Sequence, residues 1–107
     1  MKVILNGKEY TIEYTVNSLC EIEEFAGMPI DRLMARQFSA TRLLLWGGLR
    51  KNHGDLTIYQ VGELIGAMIQ EGRGLEDVVD ICAEGLRKAG FLGTIIPKNE
   101  EKGGAEE

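Results

Sequence analysis

Residues 43–49, Leu43-Leu44-Leu45-Trp46-Gly47-Gly48-Leu49, decide the fold. Leu43 to Trp46 is apolar on every side of a helix, and such a helix is buried on several faces. Ser39 stands where an N-cap is wanted, so the helix is predicted over residues 40–52. Gly47 and Gly48 inside it cost about 1 kcal/mol each against alanine. Close approach of another helix, or of a hairpin, offsets that cost. The rest of the chain has to supply the elements that wrap this segment.

Toward the N-terminus, Asn6-Gly7 sits between apolar runs and marks a type I′ β-hairpin turn. A two-residue loop sets Leu5 opposite Lys8, Val3 opposite Tyr10 and Met1 opposite Ile12. One face then carries Val3, Leu5, Tyr10, Ile12 and Tyr14. The other carries Lys2, Glu9, Thr11 and Glu13, with Ile4 as the exception. A slip of one residue would turn the apolar set to water, so the register is well specified. A lone hairpin is marginal in water and must pack on helices. Asn17 and Ser18 are the N-cap candidates of a first helix, with Glu21 or Glu23 in its first turn. Leu19, Ile22, Phe25 and Ala26 form its apolar stripe, and Gly27 stops it. A short second helix is predicted from Pro29 to Arg36, with Leu33 and Met34 as its apolar pair.

Toward the C-terminus, Asn52-His53-Gly54-Asp55 reads as a loop. Thr57 caps a fourth helix, with Gln60 placed for a capping box. Ile58, Val61, Leu64, Ile65, Met68 and Ile69 make its stripe. After Gly72-Arg73-Gly74, a fifth helix carries Leu75, Val78, Val79, Cys82, Leu86 and Ala89 on one face and ends at Gly90. Phe91 to Ile96 reads as a strand added to the hairpin sheet or as a chain end lying on the core, with the second favoured. The predicted fold is α+β, mainly α: an N-terminal β-hairpin packed on a bundle of four to five helices. Residues 1–96 form a single domain, and the polar, acidic tail 97–107 is expected to be disordered.

The 107 residues carry a net charge of −5, which makes the chain a poor general nucleic-acid binder. No apolar run approaches the ~18 residues of a membrane span, and the three apolar residues after Lys2 are too few for a signal peptide. The expectation is a cytoplasmic protein that partners neither membrane nor nucleic acid. Cys20 and Cys82 both lie among apolar neighbours and read as buried thiols. His53 is the one histidine, in a glycine-containing loop, and reads as a surface residue. A nucleophile, a base and an orienting carboxylate do not converge on it in the sequence. A Cys20–His53 pair stays open. Glu21, Glu23 and Glu24 read as solvated groups answering a helix dipole. Metal-ligand spacings are missing, and neither Gly47-Gly48 nor Gly72-Arg73-Gly74 matches a phosphate loop. The expectation is no catalytic, metal or cofactor site and no cofactor; the protein is not read as an enzyme.

Charge is distributed unevenly. Residues 28–53 hold Arg32, Arg36, Arg42, Arg50 and Lys51 against Asp31 alone, net +4, between acidic segments. One reading is internal, with these arginines answering the acidic segments of the same domain and Trp46 in the core. The other is a partner-binding surface formed by Arg32, Arg36, Arg42, Trp46 and Arg50, since arginine and tryptophan are enriched at binding hot spots. Arg32 and Arg36, four apart, are expected to share a helix face.

Three stretches carry a resemblance. They are Asn17-Ser18-Leu19-Cys20-Glu21-Ile22-Glu23-Glu24-Phe25-Ala26-Gly27, Leu43-Leu44-Leu45-Trp46-Gly47-Gly48-Leu49-Arg50 and Leu56-Thr57-Ile58-Tyr59-Gln60-Val61-Gly62-Glu63-Leu64-Ile65. In this order they resemble the tail assembly chaperones of long-tailed bacteriophages, with related small proteins in gene transfer agents. The resemblance runs from about Tyr14 to Gly90. It implies a non-enzymatic protein that binds the tape-measure protein, recruits tail-tube subunits and is absent from the finished particle. The family often has a longer, frameshifted form, and this chain would be the short one. Self-association stays open. The alternative is a permanent small structural or adaptor component of a tail or other complex.

Overall fold

The computed structural model describes residues 1–95; the expectations for Ile96 and for the tail 97–107 lie outside them. Strands β1 (Lys2–Leu5) and β2 (Lys8–Thr11) form an antiparallel hairpin in the register the turn predicts, Val3 opposite Tyr10 and Leu5 opposite Lys8. Met1 and Ile12 extend the ladder by exchanging hydrogen bonds of 2.8 and 3.0 Å. Asn6 and Gly7 take the positive φ values, 53° and 80°, that a type I′ turn demands. Leu5, Tyr10, Ile12 and Tyr14 are buried, and Ile4 is 60% exposed, as the alternation requires.

Among the described residues six helical segments follow: α1 (Val16–Ala26), α2 (Ile30–Leu33), α3 (Gln37–Leu49), α4 (Ile58–Gln70), α5 (Leu75–Ala89) and a last turn, α6 (Leu92–Ile95). The architecture is the predicted mainly helical α+β one. Helix α3 lies at its centre, against α1, α4 and α5, and every residue from Leu43 to Leu49 is buried.

The glycine pair does what its position suggested, toward both kinds of neighbour. A Cβ on Gly47 would collide with Cδ1 of Ile22 in α1. One on Gly48 would stand 2.8 Å from Cγ2 of Ile12 and 2.9 Å from the Tyr14 ring, where the chain leaves the hairpin. A Cβ on a third glycine, Gly85 of α5, would stand 3.1 Å from the same two side chains. Ile12 and Tyr14 are thus wedged between α3 and α5, and the Tyr14 hydroxyl donates to the Leu44 carbonyl.

Helix boundaries differ from expectation in informative ways. Thr15, not Asn17 or Ser18, caps α1: its hydroxyl accepts from the Ser18 amide, while the buried Ser18 hydroxyl accepts from the Thr15 amide. Tyr14 is buried, so the helix starts as soon as the chain clears it. Neither Glu21 nor Glu23 then falls in the first turn. Glu23 instead accepts from the Ile30 amide at 3.0 Å and satisfies the start of α2. Cys20 is exposed rather than buried: it lies two residues from Ile22 and so on the far side of α1. Helix α2 is a single turn, so Leu33 is buried while Met34 is exposed. Arg36 stands at the N-cap of α3, three residues earlier than the predicted Ser39 cap, and Thr41 returns its hydroxyl to the Gln37 carbonyl. Arg32 and Arg36 therefore do not share a helix face.

The Thr57–Gln60 capping box opens α4 as predicted. Gly27 and Gly90 close α1 and α5 in the left-handed conformation. Along α5, Val78, Cys82 and Leu86 are buried, Val79 is half-buried and Ala89 is exposed. After Gly90 the Phe91 amide bonds back to the Leu86 carbonyl, and Phe91 and Leu92 pack on the core. This is the chain end lying on the core; among the described residues the sheet stays two-stranded.

Candidate partner-binding surface

Phe38, Arg42, Trp46 and Arg50 stand four apart along α3 and its C-cap. Each step of four advances about 40° around a helix. The row therefore winds across α3, and its two ends face different neighbours.

At the far end, Trp46 is only 8% exposed. Its ring packs against Phe25 of α1 at 5.3 Å between centroids, and the Arg50 guanidinium lies over it at 5.0 Å. Arg50 also donates to Glu21 at 2.8 Å and to the Gly54 carbonyl at 3.0 Å. A shallow cleft of about 320 Å3 is lined by Glu21, Glu24, Phe25, Trp46 and Arg50. This half of the predicted surface follows the internal reading, with arginine, tryptophan and carboxylate already satisfied by one another. Phe25, expected in the core stripe, is 57% exposed because it lies at the edge of the α1–α3 contact.

The near end differs. Phe38, Ser39 and Arg42 of α3, Gly62 and Ile65 of α4 and Leu75 of α5 line an open cleft of about 290 Å3. Phe38 is 70% exposed, and Ile65 forms a buried floor. The Arg42 stem lies along Gly62, where a Cβ would come within 3.1 Å of Arg42 Cδ. Arg42 has no carboxylate within ion-pair distance among the described residues, and the same holds for the exposed Arg32 and Arg36. The structure thus separates the five predicted residues. Trp46 and Arg50 form one locked group, Arg42 joins a cleft on another side of α3, and Arg32 and Arg36 stand on the approach to α3. Phe38 was missed by sequence reasoning. Its signal was its place one turn before Arg42 on the same helix face.

The other candidate residues have structural work. His53 is half-buried, not a free surface side chain. Its Nε2 accepts from the Thr11 amide at 2.9 Å, and its ring meets Tyr10 edge-on at 5.2 Å. Glu13 accepts from Lys51 at 2.8 Å, and its amide donates to the Gly48 carbonyl. The outer edge of β2 and the segment after it are therefore tied to the end of α3 and the following loop. That is why Thr11 and Glu13, expected on the solvent face, are half-buried. Cys20 and His53 form no hydrogen bond with each other. Burial pushes the Cys82 thiol up to about 12 and holds the Tyr14 phenol well above its ordinary value.

That shift sets an alkaline limit. A group whose folded pKa is raised contributes stability that is complete below its unfolded value and is lost as pH climbs through the folded one. For Cys82 the window runs from 9.0 to about 12. Wild-type stability is expected to fall faster than that of Cys82→Ala across this window, as followed by urea denaturation at successive pH values. Parallel slopes would contradict it.

Among the described residues, three or more histidine, cysteine or acidic side chains nowhere converge as a metal site, and no helix is long and apolar enough to cross a membrane. Comparison with family models, with curated proteins and with solved structures finds no match to this chain.

Proposed function

We propose that this protein is a non-enzymatic tail assembly chaperone of a long-tailed phage, which works in the host cytoplasm by binding the tape-measure protein and holding it soluble while the tail is built. The observation that carries this reading is aromatic surface left outside a complete core. Phe25, Phe38 and Tyr59 are 57, 70 and 69% exposed while the leucines of α3 are fully enclosed. Aromatic side chains left in water beside arginines are the material of contact surfaces. The resemblance of the α1, α3 and α4 sequences to the chaperone family names the client. A tape-measure protein is a long helical chain with apolar stripes that have no partner before assembly, and a helix-in-groove contact would cover them.

Co-expression tests the proposal. The tape-measure protein encoded in the same genome is expected in the soluble fraction, co-purifying with this chain, and in the pellet without it. A client that stays in the pellet in both cases sinks the reading. Mass spectra of purified particles are expected to lack the chain; finding it there in stoichiometric amount would instead make it a permanent tail component.

A further inference from the structure

We infer that the cleft between α3 and α4 is the client-docking face, taking one large apolar side chain of an amphipathic helix beside Phe38 while Arg42 pairs with a carboxylate on that helix. The inference rests on the chaperone reading and adds to it where the client sits and what chemistry it must present. The volume, about 290 Å3, lies at the bottom of the ~300–1,000 Å3 range of small-molecule sites and suits a single anchoring side chain. Its floor, Ile65, is apolar and buried, and its wall, Phe38, is an aromatic ring mostly in water. Covering that ring is the gain available to a partner.

Charge specifies the rest. Arg50 at the other end of the row is neutralised by Glu21 and stacked on Trp46, so it has little left to offer. Arg42 is packed along its stem against Gly62, and among the described residues its charge at the cleft is unanswered. Glu63 and Glu76 follow Gly62 and Leu75 in the chain, yet neither forms an ion pair with Arg42. Arg32 and Arg36 add two more exposed positive charges on the segment leading into α3. A partner complementary to this edge brings carboxylates beside its apolar anchor. Phe38 and Arg42 are one turn apart, the spacing at which a client helix presents an anchor and a flanking charge.

Two labelled synthetic helices with the same leucine–phenylalanine stripe, one flanked by glutamates and one by lysines, serve as probes in fluorescence anisotropy with the full chain. The glutamate helix is expected to bind about tenfold tighter than the lysine helix. Phe38→Ala is expected to weaken it about tenfold, and Arg42→Glu to reverse the preference. Phe38 is exposed, so thermal unfolding of Phe38→Ala should match wild type; Arg42 is half-buried, and its role is read from the reversed preference, which a loss of stability alone would not give. Equal affinity for the two helices, or affinities unmoved by both substitutions, overturns the assignment. The co-expression assay separates the two levels. If wild type and both variants alike keep the tape-measure protein soluble, the cleft is the wrong face and the chaperone reading stands. If wild type itself fails, the chaperone reading falls and the helix probes alone decide the chemistry of the cleft.

Discussion

Gly48→Val is expected to destabilise the fold by about 3 kcal/mol, the upper part of the range for overpacking a core, whereas Gly66→Ala is expected to stabilise it by about 1 kcal/mol. Both glycines lie inside helices, so a propensity scale alone would make both substitutions to alanine favourable. Space decides otherwise. At Gly48 the first added carbon already meets Ile12 Cγ2 at 2.8 Å and the Tyr14 ring at 2.9 Å. Neither neighbour can yield cheaply. Ile12 is 1% exposed, and Tyr14 is pinned by its hydrogen bond to Leu44 and backed by Gly85. Two more methyl groups on a β-branched side chain aggravate the clash. At Gly66 an added Cβ meets nothing within 4 Å, so the substitution keeps only the entropic gain. Urea denaturation of the two variants against wild type measures both effects. A Gly48→Val protein as stable as wild type would mean that the hairpin exit does not press on α3 as described.

Gly47 and Gly48 were readable as close-approach positions because they interrupt an otherwise uniform apolar helix, where little else explains them. Gly85 obeys the same logic and was passed over, because Ala83-Glu84-Gly85 sits among charged residues that disguise the buried face. Local signals transferred well. The Asn6-Gly7 turn fixes its own register, and the Thr57–Gln60 box closes within four residues. Asn17 and Ser18 were the predicted caps of α1, and only the burial of Tyr14, a tertiary fact, moves the cap to Thr15. The candidate surface shows the same division. The four-residue spacing of Arg42, Trp46 and Arg50 was visible, but which arginine is already answered depends on Glu21, 29 residues from Arg50. Phe38 was missed because the predicted helix began at residue 40, whereas α3 starts at Gln37 and puts Phe38 one turn before Arg42.

Tyr14→Ala is expected to cost about 3–5 kcal/mol, the range for removing a buried aromatic side chain, and to couple strongly to the glycine at 48. For a domain of this size, stability is about 5–15 kcal/mol in total, so this substitution removes a large share of it. The ring is 3% exposed and joins three elements: it leaves the hairpin, lies between Gly48 of α3 and Gly85 of α5, and donates its hydroxyl to Leu44. Tyr14→Phe keeps the ring and loses the hydrogen bond, with an expected cost of about 1 kcal/mol. The difference between these two variants is the part owed to packing. A double-mutant cycle locates that packing. Gly48→Ala destabilises wild type by steric contact with the ring, but in the Tyr14→Ala background the new methyl enters space the ring has left. The second substitution should then cost at least about 1 kcal/mol less than it does in wild type, an interaction within the range for contacting residues. Denaturation midpoints for the four proteins give the coupling directly. Additivity within about 0.5 kcal/mol would show that Gly48 and Tyr14 respond to different neighbours, and the account of two glycines holding one tyrosine between α3 and α5 would fail with it.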